Sequence, residues 1–145
     1  MKKRSGFTLI EMLLSVACLA IISIIAIPVY QSFQVKNDLG IATNSVVQSL
    51  RRAQILSQAS DGNTTSGVKI QTSSITVFRG ASYVARDTTM DEIFEVPTSI
   101  TATGTNEIIF SKIFGLPNAT GTIILTSYIN DSKTITINEK GMVAY

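Results

Sequence analysis

Residues 1–30 read MKKRSGFTLIEMLLSVACLAIISIIAIPVY, and the fold turns on this stretch. Lys2, Lys3 and Arg4 form a basic head. Gly6 follows, and from Phe7 to Ile27 nearly every side chain is apolar. Those 21 residues match the ~20 that cross a bilayer as a helix. One acid interrupts the run, Glu11. A charged group at mid-membrane costs at least ~2.5–3.5 kcal/mol, less near an end, and usually has a partner. Once the head is set aside, nothing basic lies within a few turns of Glu11 on its own helix. Its partner must then come from another chain. A free α-amino group at Phe7 would serve, and it exists only if the chain is cut after Gly6.

Three readings of the segment compete. A cleaved secretory signal has an apolar part of only ~7–15 residues ending at small residues, whereas this run continues well past Cys18. Acylation of Cys18 needs a large aliphatic residue three positions earlier, where Ser15 stands, and a polar tether afterwards, where Leu19 to Ile27 is largely apolar. A plain anchor fits the length, with the basic head held in the cytoplasm and the C-terminal domain outside. Only cleavage after Gly6 also accounts for Glu11. Glycine there lets a peptidase approach the backbone closely.

Lys2-Lys3-Arg4-Ser5-Gly6 followed by Phe7-Thr8-Leu9-Ile10-Glu11 resembles the class III signal of type IV pilins and type II secretion pseudopilins. The resemblance implies cleavage between Gly6 and Phe7 by prepilin peptidase, followed by N-methylation of Phe7. It implies that Glu11 pairs with the N-terminal amine of a neighbouring subunit during assembly. The implied partners are other pilin or pseudopilin subunits, the peptidase, an inner-membrane assembly platform and the membrane itself. The implied location is the bacterial inner membrane, single-pass, and then a pilus or pseudopilus.

Beyond the run, Pro28 lacks an amide hydrogen, so the carbonyl of Ile24 loses its helical donor and a kink is expected. A helical pattern resumes after it. Val35, Leu39, Ala42, Val46, Leu50, Ala53 and Leu56 recur at spacings of three or four. Gln34, Lys36, Asn37, Asn44, Gln48, Arg51 and Arg52 fall off that stripe. The spacing predicts one helix from about Phe7 to Ser57 or Gln58, roughly 75 Å long, with Gly40 as a weak point and Asp61-Gly62-Asn63 as its end.

From Ser66 the period becomes extended. Val68-Ile70, Ile75-Val77, Tyr83-Val84, Ile93-Val96, Ile108-Phe110, Ile123-Leu125 and Ile135-Ile137 read as short strands. Arg79-Gly80, Pro97, Gly104-Thr105-Asn106, Pro117-Asn118 and Asn130-Asp131 read as turns. Glu139-Lys140-Gly141 reads as a hairpin turn into a terminal strand over 142–145. The expected fold is α+β: a long N-terminal helix, half membrane-spanning and half amphipathic, packed against a C-terminal antiparallel β domain. The expected divisions are a leader at 1–6, a transmembrane helix at 7–28, the extracytoplasmic half of the helix at 29–60, and the β domain at 61–145.

The order of features in the domain is similar to the minor pseudopilin H and FimT-like domain. Arg52-Ala53, Gly67-Val68, Ile75-Thr76-Val77-Phe78-Arg79-Gly80, Gly115, Gly121-Thr122-Ile123 and Gly141 carry that similarity. Some FimT-like proteins bind DNA through a C-terminal glycine-arginine motif, but here Gly141-Met142-Val143-Ala144 has neither arginine.

Net charge is +2, but without the three head cations nine basic residues face ten acidic ones. The domain therefore has no net charge that would draw it to nucleic acid, which is not an expected partner. A small patch of Arg79, Tyr83 and Arg86 is conceivable, offset by Asp87, Asp91, Glu92 and Glu95. That acidic set lacks the close spacing and glycine turn of a calcium loop, so no metal or cofactor is expected. With no histidine and one cysteine, Ser-His-Asp and Cys-His chemistry is excluded. The expectation is a structural subunit and not an enzyme. The alternatives are a DNA-binding minor pilin and an anchored domain that never polymerises.

Overall fold

The computed structural model describes residues 6–59 and 63–145. Among these residues are one α-helix, α1 (Leu9–Gln58), one short 3-10 helix (Thr88–Met90) and eight strands. Two units divide the chain, Met1–Gln34 and Val35–Tyr145. α1 ends where the apolar spacing ends. Its predicted stop at Asp61-Gly62 lies outside the described residues, while Asn63 takes up a left-handed φ of 55°.

In the first unit α1 is long and apolar enough to cross a membrane. Every described side chain from Phe7 to Gln34 is exposed. A bare apolar surface of this extent marks contact with lipid or protein. Pro28 lies inside the helix. The hydroxyls of Ser15, Ser23 and Ser32 donate to the carbonyls of Glu11, Leu19 and Pro28 at 2.8, 2.8 and 3.0 Å. Such back-bonding satisfies a hydroxyl where no water is available.

In the second unit all seven stripe residues from Val35 to Leu56 are buried, and the residues predicted off the stripe are exposed. The strands are β1 (Ser66–Ile70), β2 (Ser74–Arg79), β3 (Glu92–Glu95), β4 (Ile100–Gly104), β5 (Glu107–Phe110), β6 (Gly121–Ser127), β7 (Ser132–Ile137) and β8 (Val143–Ala144). They form two four-stranded antiparallel sheets, ordered β3-β2-β1-β5 and β4-β6-β7-β8. One apolar core joins the stripe to Val68, Ile75, Val77, Ile108 and Phe110 of the first sheet and to Ile100, Ile123, Leu125, Ile135 and Ile137 of the second. The helix thus supplies a wall that a domain of this size could not spare.

Two elements differ from expectation. Ile100–Gly104 is a strand, with Ile100 buried and Thr101 and Thr103 exposed; its alternation was hidden by small side chains. Tyr83-Val84 is not a strand. It lies in the Gly80–Asp87 segment, where Gly80 and Arg86 form an isolated bridge. There the Tyr83 ring meets Phe78 edge to face at 5.7 Å. Phe78 in turn lies opposite Gly67 in the register, and a Cβ on Gly67 would come within 2.6 Å of the Phe78 ring.

The end of α1 is clasped by distant loops. Ser57, fully buried, accepts from the Ser66 amide at 2.9 Å and donates to the Phe110 carbonyl at 3.1 Å. The Gln54 amide donates to the carbonyls of Gly115 at 3.0 Å and Lys140 at 3.4 Å. Gly115 and Gly141 adopt φ of 62° and 77°, and a Cβ on either would meet Gln54. Glycine is required at both on two counts.

Candidate functional site

Gly6, Phe7 and Thr8 precede the helix and have no regular structure. Phe7 is exposed, and nothing lies within 4 Å of where a Cβ on Gly6 would be. The Gly6–Phe7 peptide bond is therefore in open, non-helical backbone, the form in which a protease can grip a chain. The basic residues Lys2, Lys3 and Arg4 lie outside the described residues.

Glu11 sits in the first turn of α1. Its amide donates to Thr8 Oγ1 at 3.3 Å, and its carboxylate accepts from the Thr8 amide at 3.4 Å. Thr8 is thus the N-cap and Glu11 the third helical residue of a reciprocal capping box. Each satisfies a donor that the helix start would otherwise strand. The carboxylate is also placed where the helix dipole favours negative charge. Thr8 did not stand out in the sequence, although Thr-x-x-Glu before an apolar run is the spacing that reveals such a cap. Within the chain, then, Glu11 is exposed, and its carboxylate accepts one long hydrogen bond, from the Thr8 amide. It has room to accept a cation. Pro28 lies seventeen residues further on, in the same exposed segment.

The candidate patch in the β domain resolves differently. Arg86 and Tyr83 do come together, with the guanidinium 3.8 Å from the ring centroid. Arg86 is then held by Asp91 at 2.8 Å and donates to the Tyr83 carbonyl at 2.6 Å. The hydrogen bond to Asp91 raises the Arg86 pKa further. Lys69, distant from this segment in the sequence, approaches the same ring at 5.9 Å and pairs with Glu107 at 3.3 Å. Cations engaged in this way brace a loop and present little charge to phosphate.

The four carboxylates considered as a calcium set go to separate tasks. Asp87 caps the 3-10 turn Thr88–Met90 and accepts from the Thr89 amide and hydroxyl at 3.0 and 2.7 Å. Asp91 holds Arg86, Glu92 holds Arg52 at 2.9 Å, and Glu95 is exposed. Where the glycine-arginine motif is missing its arginines, Gly141 belongs to the β7–β8 turn. Asn138 Oδ1 accepts there from the amides of Lys140 and Met142 at 3.0 and 2.9 Å.

Residues 1–27 match the family model of the prokaryotic N-terminal methylation motif. No solved structure matches the chain.

Proposed function

We infer, from the N-terminal methylation motif at residues 1–27, which supports the type IV pilin and pseudopilin family, that the chain is a minor subunit of a type IV pilus or pseudopilus, of the pseudopilin H and FimT-like kind. One observation carries the reading. An open Gly6–Phe7 bond, a carboxylate at Glu11 and an uncovered apolar helix follow one another within the matched segment.

Water cleaves the Gly6–Phe7 amide, leaving a carboxylate on Gly6 and an amine on Phe7. Methylation of that amine keeps it basic, so it stays cationic at neutral pH. In the bilayer the helix is inserted with its basic head inside, and the Glu11 carboxylate accepts one long hydrogen bond from the Thr8 amide. On assembly the Glu11 carboxylate accepts the Phe7 amine of an adjacent subunit, an attraction that low dielectric strengthens. Pro28 supplies the bend at the membrane exit, and the β domain is the part displayed outside. The partners are other subunits, the peptidase and an assembly platform. The role is structural and the chain is a substrate, not an enzyme.

Mass spectrometry of the mature N-terminus tests this. The expected species begins at Phe7 and carries one added methyl group. A chain that retains Met1 or Lys2 overturns the reading. Glu11→Leu should be inserted and cut normally but fail to enter filaments, and normal incorporation would remove the pairing role.

A further inference from the structure

The β6–β7 hairpin turns on Ser127 to Asn130. The Asn130 amide donates to the Ser127 carbonyl at 2.9 Å, the Ser127 amide donates to the Asp131 carbonyl at 2.8 Å, and Asn130 takes a left-handed φ of 65°. The buried Ser127 hydroxyl locks the turn again, donating to the Asp131 carbonyl and accepting the Asp131 amide, both at 3.1 Å. Turn corners ordinarily carry Pro, Asp, Asn, Ser or Gly. Here the corners are Tyr128, 64% exposed, and Ile129, 39% exposed. A locked tip that holds a large aromatic and a branched aliphatic side chain away from the core marks a contact surface.

The path of the chain says what that surface meets. The chain enters the second unit at Val35, which is already buried. At this end of the unit the Tyr128 amide donates to the Ser99 carbonyl at 3.2 Å, and the Ser99 hydroxyl donates to Asp38 Oδ2 at 3.0 Å. Ser99 thus ties the hairpin tip to α1 at Asp38. Just before it on the helix come Tyr30, Phe33 and Lys36, all exposed, at the close of the apolar run. Aromatic rings followed by a long cation at such a place settle at the boundary between lipid and water. From Phe33 to Asp38 the helix rises about 7.5 Å. A bilayer's headgroup layer extends about 5–7 Å beyond its hydrocarbon. The tip is therefore tied to α1 at the level where the headgroups end.

Charge neither draws the tip to the surface nor repels it, because Lys36 and Lys133 are matched by Asp38 and Asp131. Apolar burial has to carry the contact. Tyrosine suits it, with a ring that leaves water and a hydroxyl that stays wet.

We propose that the β6–β7 tip is a second membrane contact: Tyr128 and Ile129 enter the headgroup layer of the bilayer that holds α1, and so hold the β domain against its surface. This rests on insertion of α1 in a membrane. It does not depend on which side the β domain occupies or on filament assembly.

The chain has no tryptophan, so a single introduced indole reports a single place. The test compares Tyr128→Trp, Val84→Trp and Ile21→Trp in the full chain. Each is held as a single copy in phosphatidylcholine nanodiscs whose lipid is brominated either close to the headgroup or close to the chain end. Tyr128→Trp should lose roughly half of its emission to the shallow bromine and little to the deep one. Ile21→Trp, inside the apolar run, should be quenched by the deep bromine. Val84 is 93% exposed and follows Arg79, which pairs with Ser66 beyond the end of α1; its indole should respond to neither. Adding Ile129→Asp to Tyr128→Trp should restore most of the emission. An unquenched Tyr128→Trp beside a quenched Ile21→Trp would overturn the proposal and leave the anchored reading standing. An unquenched Ile21→Trp would overturn both. Equal quenching at Val84 and Tyr128 would overturn the proposal by showing contact without a preferred face. A blue shift of Tyr128→Trp that appears only with two copies per disc, without quenching, would assign the tip to a second copy and also overturn it.

Discussion

Two serines on one helix should respond in opposite ways to the same substitution. Ser57 and Ser49 both lie in α1, and both are essentially buried. Ser57 Oγ accepts the buried Ser66 amide at 2.9 Å and donates to Phe110 at 3.1 Å. Ser57→Ala leaves that amide without a partner, a loss of ~1–3 kcal/mol. Alanine's better helix propensity returns ~0.5 kcal/mol. The net cost is about 1–2 kcal/mol. Ser49 Oγ has no partner, so Ser49→Ala strands nothing, and the propensity gain makes it neutral or stabilising by up to ~1 kcal/mol. The two variants should therefore differ by about 2 kcal/mol, or roughly 8 °C in the unfolding midpoint of a domain this size. Urea unfolding followed by tyrosine fluorescence measures the difference, since the chain has four tyrosines and no tryptophan. Equal losses within about 0.5 kcal/mol, or Ser49→Ala as the more damaging change, would refute the hydrogen-bond assignment.

Gly40 lies within α1, and nothing stands within 4 Å of where its Cβ would be. Gly40→Ala should therefore stabilise the head by ~0.8–1 kcal/mol; an unchanged or lower thermal midpoint would contradict this. Gly141→Ala should do the reverse. It places a side chain at φ 77° and against Gln54, at a cost of about 1–3 kcal/mol, read as a lower urea midpoint. Hydrogen bonds from the Thr89 hydroxyl, and then the Thr89 amide, hold the Asp87 pKa below its ordinary 3.8. Because the folded value lies under the unfolded one, the stability from this cap is present at neutral pH and lost as pH falls through the lowered value. NMR titration should give an Asp87 midpoint under 3.8, and Thr89→Val should move it upward. A midpoint that does not respond to Thr89→Val would count against the cap.

Local periodicity explains what could be read in advance. The stripe from Val35 to Leu56 repeats at helical spacing and is buried throughout. Six of the seven predicted runs coincide with strands, because Val, Ile and Phe cluster there between turn formers. Ile100–Gly104 escaped because threonine and alanine give its alternation little contrast. Tyr83 misled because its aromatic ring serves a loop, stacked on Arg86 and against Phe78. At the N-terminus the Gly-Phe and Glu spacing was legible as a motif, whereas the Thr8–Glu11 cap required the helix start to be located. The Gln54 clasp and the Arg52–Glu92 pair join residues dozens of positions apart. Nothing in one sequence ties such positions together.

The clasp on Gln54 also sets a timetable for the chain. Its second acceptor, the Lys140 carbonyl, lies 86 residues downstream. At about 5–20 residues per second, synthesis alone separates the two by roughly 4–17 s. During that interval the apolar stripe of α1 has no finished wall to meet, since β6, β7 and β8 also arrive late. The β domain is therefore completed from its last-made hairpin, long after the apolar N-terminal half of α1 has been made. The nascent chain spends those seconds unfinished. That is when a chaperone would have to shield it and a protease could most readily remove it.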